Sequence, residues 1–265
     1  MVRLITSIPL KVFARMKRRW VRSVNKLDAW VRFYHDLQTL KGQLGPDNAL
    51  FPFGKLYPCL NDRFSESGTG KGAYFHQDLL VARRVHSNQP TVHLDVGSRV
   101  DGFVAHVASF RPIQVIDVRP LSNNIANVTF FQMDLMGEIA GQWIGCCDSL
   151  SCLHALEHFG LGRYGDAVLW NGHLIGLENL RKLLKRDGKL YFSVPIGPQR
   201  IEFNAHRVFC LEYLLELFHG KFAIDRFSFV DDEGDLHEDV DLTDQSVETN
   251  FGCTYGCGIF ELTKL

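Results

Sequence analysis

Apolar residues recur at three- and four-residue steps through the first forty positions: Ile8, Val12, Met16, Trp20, Val24, Leu27, Val31, Tyr34 and Leu37. That spacing predicts one long amphipathic helix with a single apolar stripe. Ser7 reads as its N-cap, with Pro9 in the first turn, and the pattern ends near Gly42 and Gly45-Pro46. Residues 46–72 are rich in Gly, Pro, Asn and Ser and read as a loop. AYFHQDLLVARRVH (73–86) is a short amphipathic helix. From residue 91 short apolar runs alternate with helical patterns. Strands are expected at 91–96, 113–118, 128–135, 146–153, 189–195, 221–230 and 257–264, and helices at 102–110, 168–186 and 211–218. Apolar strands separated by helices predict an α/β fold with a mostly parallel sheet covered on both faces. Only an acidic loop joins the last two strands, which favours an antiparallel final strand.

Composition narrows the class. The 265 residues are 46% hydrophobic and 22% charged, within the globular range. No run approaches the ~20 apolar residues of a membrane span. The start resembles a signal peptide but lacks a long apolar core and a small-residue cleavage site. Seven cysteines at irregular positions do not form a disulfide framework, and a cytoplasmic location is expected. The net charge of -1 conceals an asymmetry of +8 over residues 1–41 and -9 over the rest, with DDEGDLHEDVDLTD near the end. The basic face of the first helix suits an anionic membrane surface, with Trp20 and Trp30 near the headgroups. Packing of the same stripe on its own domain or on a second copy, a homodimer, is the other reading. No nucleic-acid partner is expected.

The chemistry concentrates at strand ends. DVGSRVDGF (95–103) follows the first strand, where Gly97 allows a tight turn and the next helix offers its N–H groups to an anion. A dinucleotide site would read GxGxxG. Here only Gly97 and Gly102 remain, which disfavours a nicotinamide cofactor. Asp117 ends the second strand, where an ionised carboxylate accepts ribose hydroxyls. Asp134 ends the third, within reach of an adenine amino group. GTGKG (68–72) lacks phosphate-loop spacing and a preceding strand, and reads as a turn.

Together, TVHLDVGSRVDGF, QVIDVRPL, FFQMDL, CDSLSCLHALEHFG, LENLRKLLKRDGKLYFSVP and AHRVFCLEYLLELF resemble the successive motifs of a class I S-adenosylmethionine-dependent methyltransferase over residues 73–265. More narrowly they resemble an uncharacterised family first catalogued in nematodes and also found in bacteria, some near surface-polysaccharide genes. The resemblance implies a Rossmann-like sheet of seven strands in the order 3-2-1-4-5-7-6. It divides the chain into a helical extension (1–45), a lead-in (46–90) and the methyltransferase domain (91–265). It assigns Asp95, Gly97 and Ser98 to the methionine part of S-adenosylmethionine, Asp117 to the ribose, and Met133 or Asp134 to the adenine, with Arg99 at the cofactor turn, where its side chain would crowd the ribose. Arg99 departs from the family's second glycine. It implies either a turn lengthened by one residue, with Gly102 moved into the helix start, or an altered cofactor site.

An oxygen acceptor benefits from a base near neutral pKa, and His154, Glu157 and His158 follow the fourth strand beside the expected methyl group. His206 is a further candidate, Arg207 a candidate for an anionic group on the substrate, and Tyr74 and His76, with Gln77 and Asp78, candidates for a lid. Cys146, Cys147 and Cys152 lack zinc spacing. Some sugar methyltransferases use magnesium, but histidines are poor ligands for it and these residues do not indicate it. The expected activity is O-methylation of a sugar in a surface glycan or of a similar small polar acceptor. The alternative is an inactive methyltransferase fold serving as a binding or assembly module.

Overall fold

The computed structural model describes residues 10–44 and 51–265, with side chains from Lys26 onward. The chain divides into two compact units, residues 1–69 and 70–265. The first contains helix α1 (Leu10–Leu44). The expected cap at Ser7 and the end at Gly45-Pro46 lie outside the described residues. Leu27, Val31 and Tyr34 of the predicted stripe are exposed, and Trp30 stacks on Tyr34 one turn away. No helix among the described residues is long and apolar enough to cross a membrane.

The second unit begins with α2 (Ala73–Asn88) and β1 (His93–Val96). A π turn (Val100–Val104) runs into α3 (Ala105–Ala108). Strands β2 (Ile113–Asp117), β3 (Val128–Gln132) and β4 (Cys147–Leu153) follow, then α4 (Gly172–Leu183) and β5 (Leu184–Ile196). A hairpin of β6 (Arg200–Glu202) and β7 (His206–Val208) leads to α5 (Leu211–Phe218). The chain ends with β8 (Phe222–Val230), β9 (Leu236–His237), α6 (Asp244–Glu248) and β10 (Gly256–Lys264).

The sheet order is β3-β2-β1-β4-β5-β10-β8-β9. β1 to β5 are parallel, and β10 is antiparallel to both β5 and β8. With β8 and β10 as sixth and seventh strands, this is the expected 3-2-1-4-5-7-6 order. The eighth strand, β9, is a two-residue edge in the acidic loop.

Side chains alternate between two cores. Leu94, Val96, Ile116, Phe192 and Val194 face a core shared with Leu177 and Leu180 of α4 and Leu214 of α5. Val115, Tyr191 and Ile259 face a second, shared with Leu80, Val81 and Val85 of α2 and Val107 of α3. The α2 side also buries polar strand residues: His93, Asp95, Ser149, Ser151 and Ser193. They bond to one another and to Gln77 of α2, as buried polar groups must.

Several predicted boundaries shift: the strand expected over 128–135 ends at Gln132, and the helix expected over 102–110 is the π turn and the four residues of α3. The helix expected over 168–186 begins only at Gly172, because residues 159–171 form a loop over the end of β4. It ends at Leu183, and β5 starts at once, passing Asp187 at a φ of 60°. The acidic segment forms ion pairs within its own unit: Lys71 with Asp235, Arg83 and Arg84 with Glu238, and Arg226 with Asp239.

Candidate active site

A cleft of about 490 Å³ opens at the carboxyl ends of β1, β2, β3 and β4. This is the crevice where strand order reverses, because β2 and β4 flank β1 on opposite sides. The volume suits a ligand the size of a nucleoside derivative.

Gly97 forms its floor with a φ of 78°, and a Cβ there would stand 2.7 Å from that of Ala155. The turn therefore needs glycine for its conformation and for its closeness to the β4 loop. Asp95, assigned by the resemblance to the cofactor, does not border the cleft. It is fully buried beneath the turn, accepting from the Ser98 amide at 3.1 Å, Ser98 Oγ at 2.8 Å and Ser151 Oγ at 2.5 Å. Burial pushes its carboxyl up to about 7 despite those bonds. Its position makes it a support for the turn. Ser98 does border the cleft.

Arg99 does not fill the space of the missing glycine. Its backbone is extended, and its side chain is 70% exposed and bonded to Asp101 at 2.7 and 2.9 Å. The extra residue is taken up by the π turn, where Gly102 adopts φ -122° and ψ -115°. A Cβ on Gly102 would lie 2.8 Å from Asp78 Oδ2.

Asp117 stands at the end of β2 in the cleft wall, nine-tenths buried. Its oxygens accept from the Arg119 amide at 2.8 Å, Nε at 2.9 Å and Nη2 at 2.5 Å. The Arg119 guanidinium also lies 4.6 Å from the centre of the Tyr164 ring. Met133 and Asp134 border the cleft at the end of β3, and Asp134 accepts from the Met136 amide at 2.8 Å.

The β4 loop brings the candidate acid–base residues together. Glu157 is 1% exposed and its Oε2 has no hydrogen-bond partner. Its Oε1 lies 3.0 Å from His154 Nδ1 and 3.7 Å from His158 Nε2. His154 has a φ of 50°, a strained backbone for a non-glycine residue. Burial works against its charge, but the neighbouring Cys257 and Glu157 outweigh it and hold His154 well above the usual histidine range. His158 is shifted the other way, by burial and then by Arg163 and His154, with Glu157 and the Ala205 carbonyl opposing. His158 Nδ1 donates to the Ala205 carbonyl at 2.6 Å, which leaves Nε2 as the free lone pair in the neutral ring.

His206 does not border the cleft. It lies beside Tyr255, with Nε2 3.1 Å from Glu202 Oε2 but without hydrogen-bond alignment. Arg207 is buried and donates to the carbonyls of Phe159 at 2.6 Å and Trp170 at 3.3 Å. It clamps the 157–170 loop and leaves no face for a substrate anion. Tyr74 borders the cleft, 5.3 Å from the His154 ring, and Gln77 and Asp78 join it, while His76 does not. Among the described residues no group of three His, Cys, Asp or Glu is arranged to hold a metal.

Arg163, Tyr164 and Asp166 of the cleft lie outside the quoted motifs, and Arg119, inside QVIDVRPL, is given no role by them. Only Arg119, two residues beyond the expected ribose carboxylate, stood where a sequence argument could have found it.

A model of the family described as "Caenorhabditis protein of unknown function, DUF268" matches residues 122–254, half of the chain. The chain is a member of the DUF268 family. No curated protein matches it in sequence. Among solved structures, the DUF268 chain is similar to the 1,6-didemethyltoxoflavin-N1-methyltransferase of Burkholderia thailandensis, crystallised with 1,6-didemethyltoxoflavin and S-adenosylhomocysteine. That likeness has a TM-score of 0.52 and 16% identity, and covers 99% of this chain and 93% of that one. It is also similar to the [4+2]-cyclase SpnF, with a TM-score of 0.52 and 15% identity over 75% of this chain and 85% of that one. The DUF268 chain thus has the Rossmann-like class I methyltransferase fold. The two neighbours differ in reaction, so the fold alone does not assign one.

Proposed function

We propose that the DUF268 chain is an S-adenosylmethionine-dependent methyltransferase acting on an oxygen acceptor, most concretely a sugar hydroxyl of a surface glycan. The observation that carries this reading is the single cleft joining Gly97, Asp117 and Asp134 to His154 and His158. The structural neighbour crystallised with S-adenosylhomocysteine supports the choice of cofactor. The fit is supported by the side-chain-free floor that Gly97 forms against Ala155 and by the strand-end carboxylates.

When bound, the cofactor supplies an electrophilic methyl group. The protein's part is to align the acceptor and to hold its proton. Neutral His158, its Nδ1–H fixed on Ala205, presents Nε2 as the base. Glu157 and His154 set the charge around it. Tyr74 closes the cleft from α2. The exposed apolar positions of α1 and the basic charge of residues 1–41 support an anchoring role at an anionic membrane surface, near a membrane-linked acceptor. As a proposal on domain organisation, residues 1–45 form that extension, 46–90 the lead-in and 91–265 the catalytic domain.

Calorimetry with S-adenosylmethionine, S-adenosylhomocysteine and NAD tests the first step. Binding of both sulfur ligands and not NAD is expected, and no binding of either sulfur ligand overturns the reading. Once an acceptor is found, His158→Gln is expected to lower kcat about 10²- to 10⁴-fold. Wild-type activity should rise with pH around a midpoint below the ordinary histidine value, since the base acts when neutral and its pKa is lowered. For residues 1–41, co-flotation of the full chain with anionic vesicles, lost on deletion, is the expected result.

One observation favours the second reading, a binding or assembly module without catalysis. Asp117 is already bonded three times by Arg119, whose guanidinium lies on Tyr164 in the cleft. Under that reading the sulfur ligands do not bind.

A further inference from the structure

Two of the carboxylates bordering the cleft are nine-tenths buried, Asp117 and Asp78. Asp117 has the Arg119 guanidinium beside it. Asp78 has only neutral donors: Gln77 Nε2 at 3.1 Å and the Phe103 amide. The remaining cleft carboxylates have other compensation. Asp101 is ion-paired with Arg99 in solvent, Asp134 is exposed, and Asp166 accepts three loop amides. Burial pushes the Asp78 carboxyl up, against the opposing effects of the Gln77 bond and of the His106 and His154 rings, neither of which is bonded to it. A buried carboxylate that borders a cleft with no cation bonded to it is a place for a cationic ligand group.

The position is specific. Asp78 Oδ2 lies 2.8 Å from where a Cβ would stand on residue 102, so glycine at 102 keeps the carboxylate open to the turn after β1. That turn is where the amino-acid end of the proposed cofactor would lie. Asp95, which the motif pattern offers for that end, is locked under the turn by Ser98 and Ser151.

We propose that Asp78, on α2 and outside the strand-end motifs, is the counter-ion for the ammonium group of the cofactor's amino-acid end. This rests on the cofactor reading above. It makes α2 part of the cofactor site as well as a cover for it.

Calorimetry on the full-length protein tests it with three probes. S-adenosylmethionine and S-adenosylhomocysteine both carry the ammonium group, and 5′-methylthioadenosine does not. Asp78→Asn is expected to weaken both amino-acid-bearing ligands at least tenfold and to leave 5′-methylthioadenosine within twofold of wild type. Gly102→Ala, whose methyl would displace the carboxylate, is expected to repeat that selective loss and serves where Asp78→Asn does not fold. Equal loss of all three ligands marks a structural role and overturns the proposal. So does unchanged binding of S-adenosylhomocysteine. Loss confined to S-adenosylmethionine moves the contact to the sulfonium and overturns the ammonium assignment. If the wild-type protein binds none of the three, the cofactor reading itself falls, and this proposal with it.

Discussion

The Asp117 carboxylate and the Arg119 guanidinium meet through two side-chain bonds and a backbone amide, at the position where a ribose would be held. A ribose can displace the guanidinium only at the cost of those bonds. Arg119→Ala should therefore tighten S-adenosylmethionine binding about 5- to 150-fold, since each of the two competing side-chain bonds contributes roughly 0.5–1.5 kcal/mol. Calorimetry checks this, and weaker binding would mean that Arg119 touches the ligand. Asp117→Ala should abolish binding in the same assay. Other residues at this scale were half legible. Asp95 and Asp117 both read as strand-end carboxylates, and nothing in the letters DVGS or DVRP says which one turns inward. Burial and the partners Ser151 and Arg119, distant or unmarked in the sequence, decided it.

Among the elements, strands and amphipathic helices follow their periodicity closely, and LEYLLELF is helical over the predicted residues. The loop carrying His154, Glu157 and His158 is shaped by contacts that periodicity does not encode. Asp166 gathers the amides of Gly160, Gly162 and Tyr164, and Arg207 holds two carbonyls of the same loop. From below, α4 packs against it at Gly176, where a Cβ would lie 2.4 Å from Phe159 Cδ2 and 2.9 Å from Leu156. Gly176→Ala should cost about 1–3 kcal/mol by overpacking, seen as a lower urea midpoint. An unchanged midpoint would show that the loop yields freely. Arg207 and His206 illustrate the limit of motif reading. Their pairing after the fifth strand suggested a substrate contact, but β7 turns Arg207 into the loop and His206 toward Glu202.

Across the whole molecule, the buried polar layer on the α2 side of the sheet predicts a pH response. Burial pushes His93 of that layer down to about 3, and His173, on α4 across the sheet, down to about 4. A depressed histidine stabilises the fold above its unfolded pKa and loses that stability as pH falls. From pH 6.5 to 5 this amounts to about 2 kcal/mol for His93. Asp95, raised to about 7, acts in the opposite sense: its folded form keeps a proton that the unfolded chain releases, so stability is lost as pH rises toward 7. The Asp95 contribution offsets one histidine between pH 7 and 5. Asp95→Asn removes that offset, and its Tm should fall more steeply than wild type when melts at pH 7, 6 and 5 are compared. Parallel curves would refute the opposition. The sequence by itself determined the α/β class, the antiparallel last strand and the crevice at the strand ends, because hydrophobic period and connection length constrain how a parallel sheet can be wound; the strand order followed from the family resemblance. Only the tertiary structure decided which carboxylates face that crevice, how the chain accommodates Arg99, and that Arg119 and Asp78 belong to it, because those outcomes depend on burial and on partners far apart in the chain.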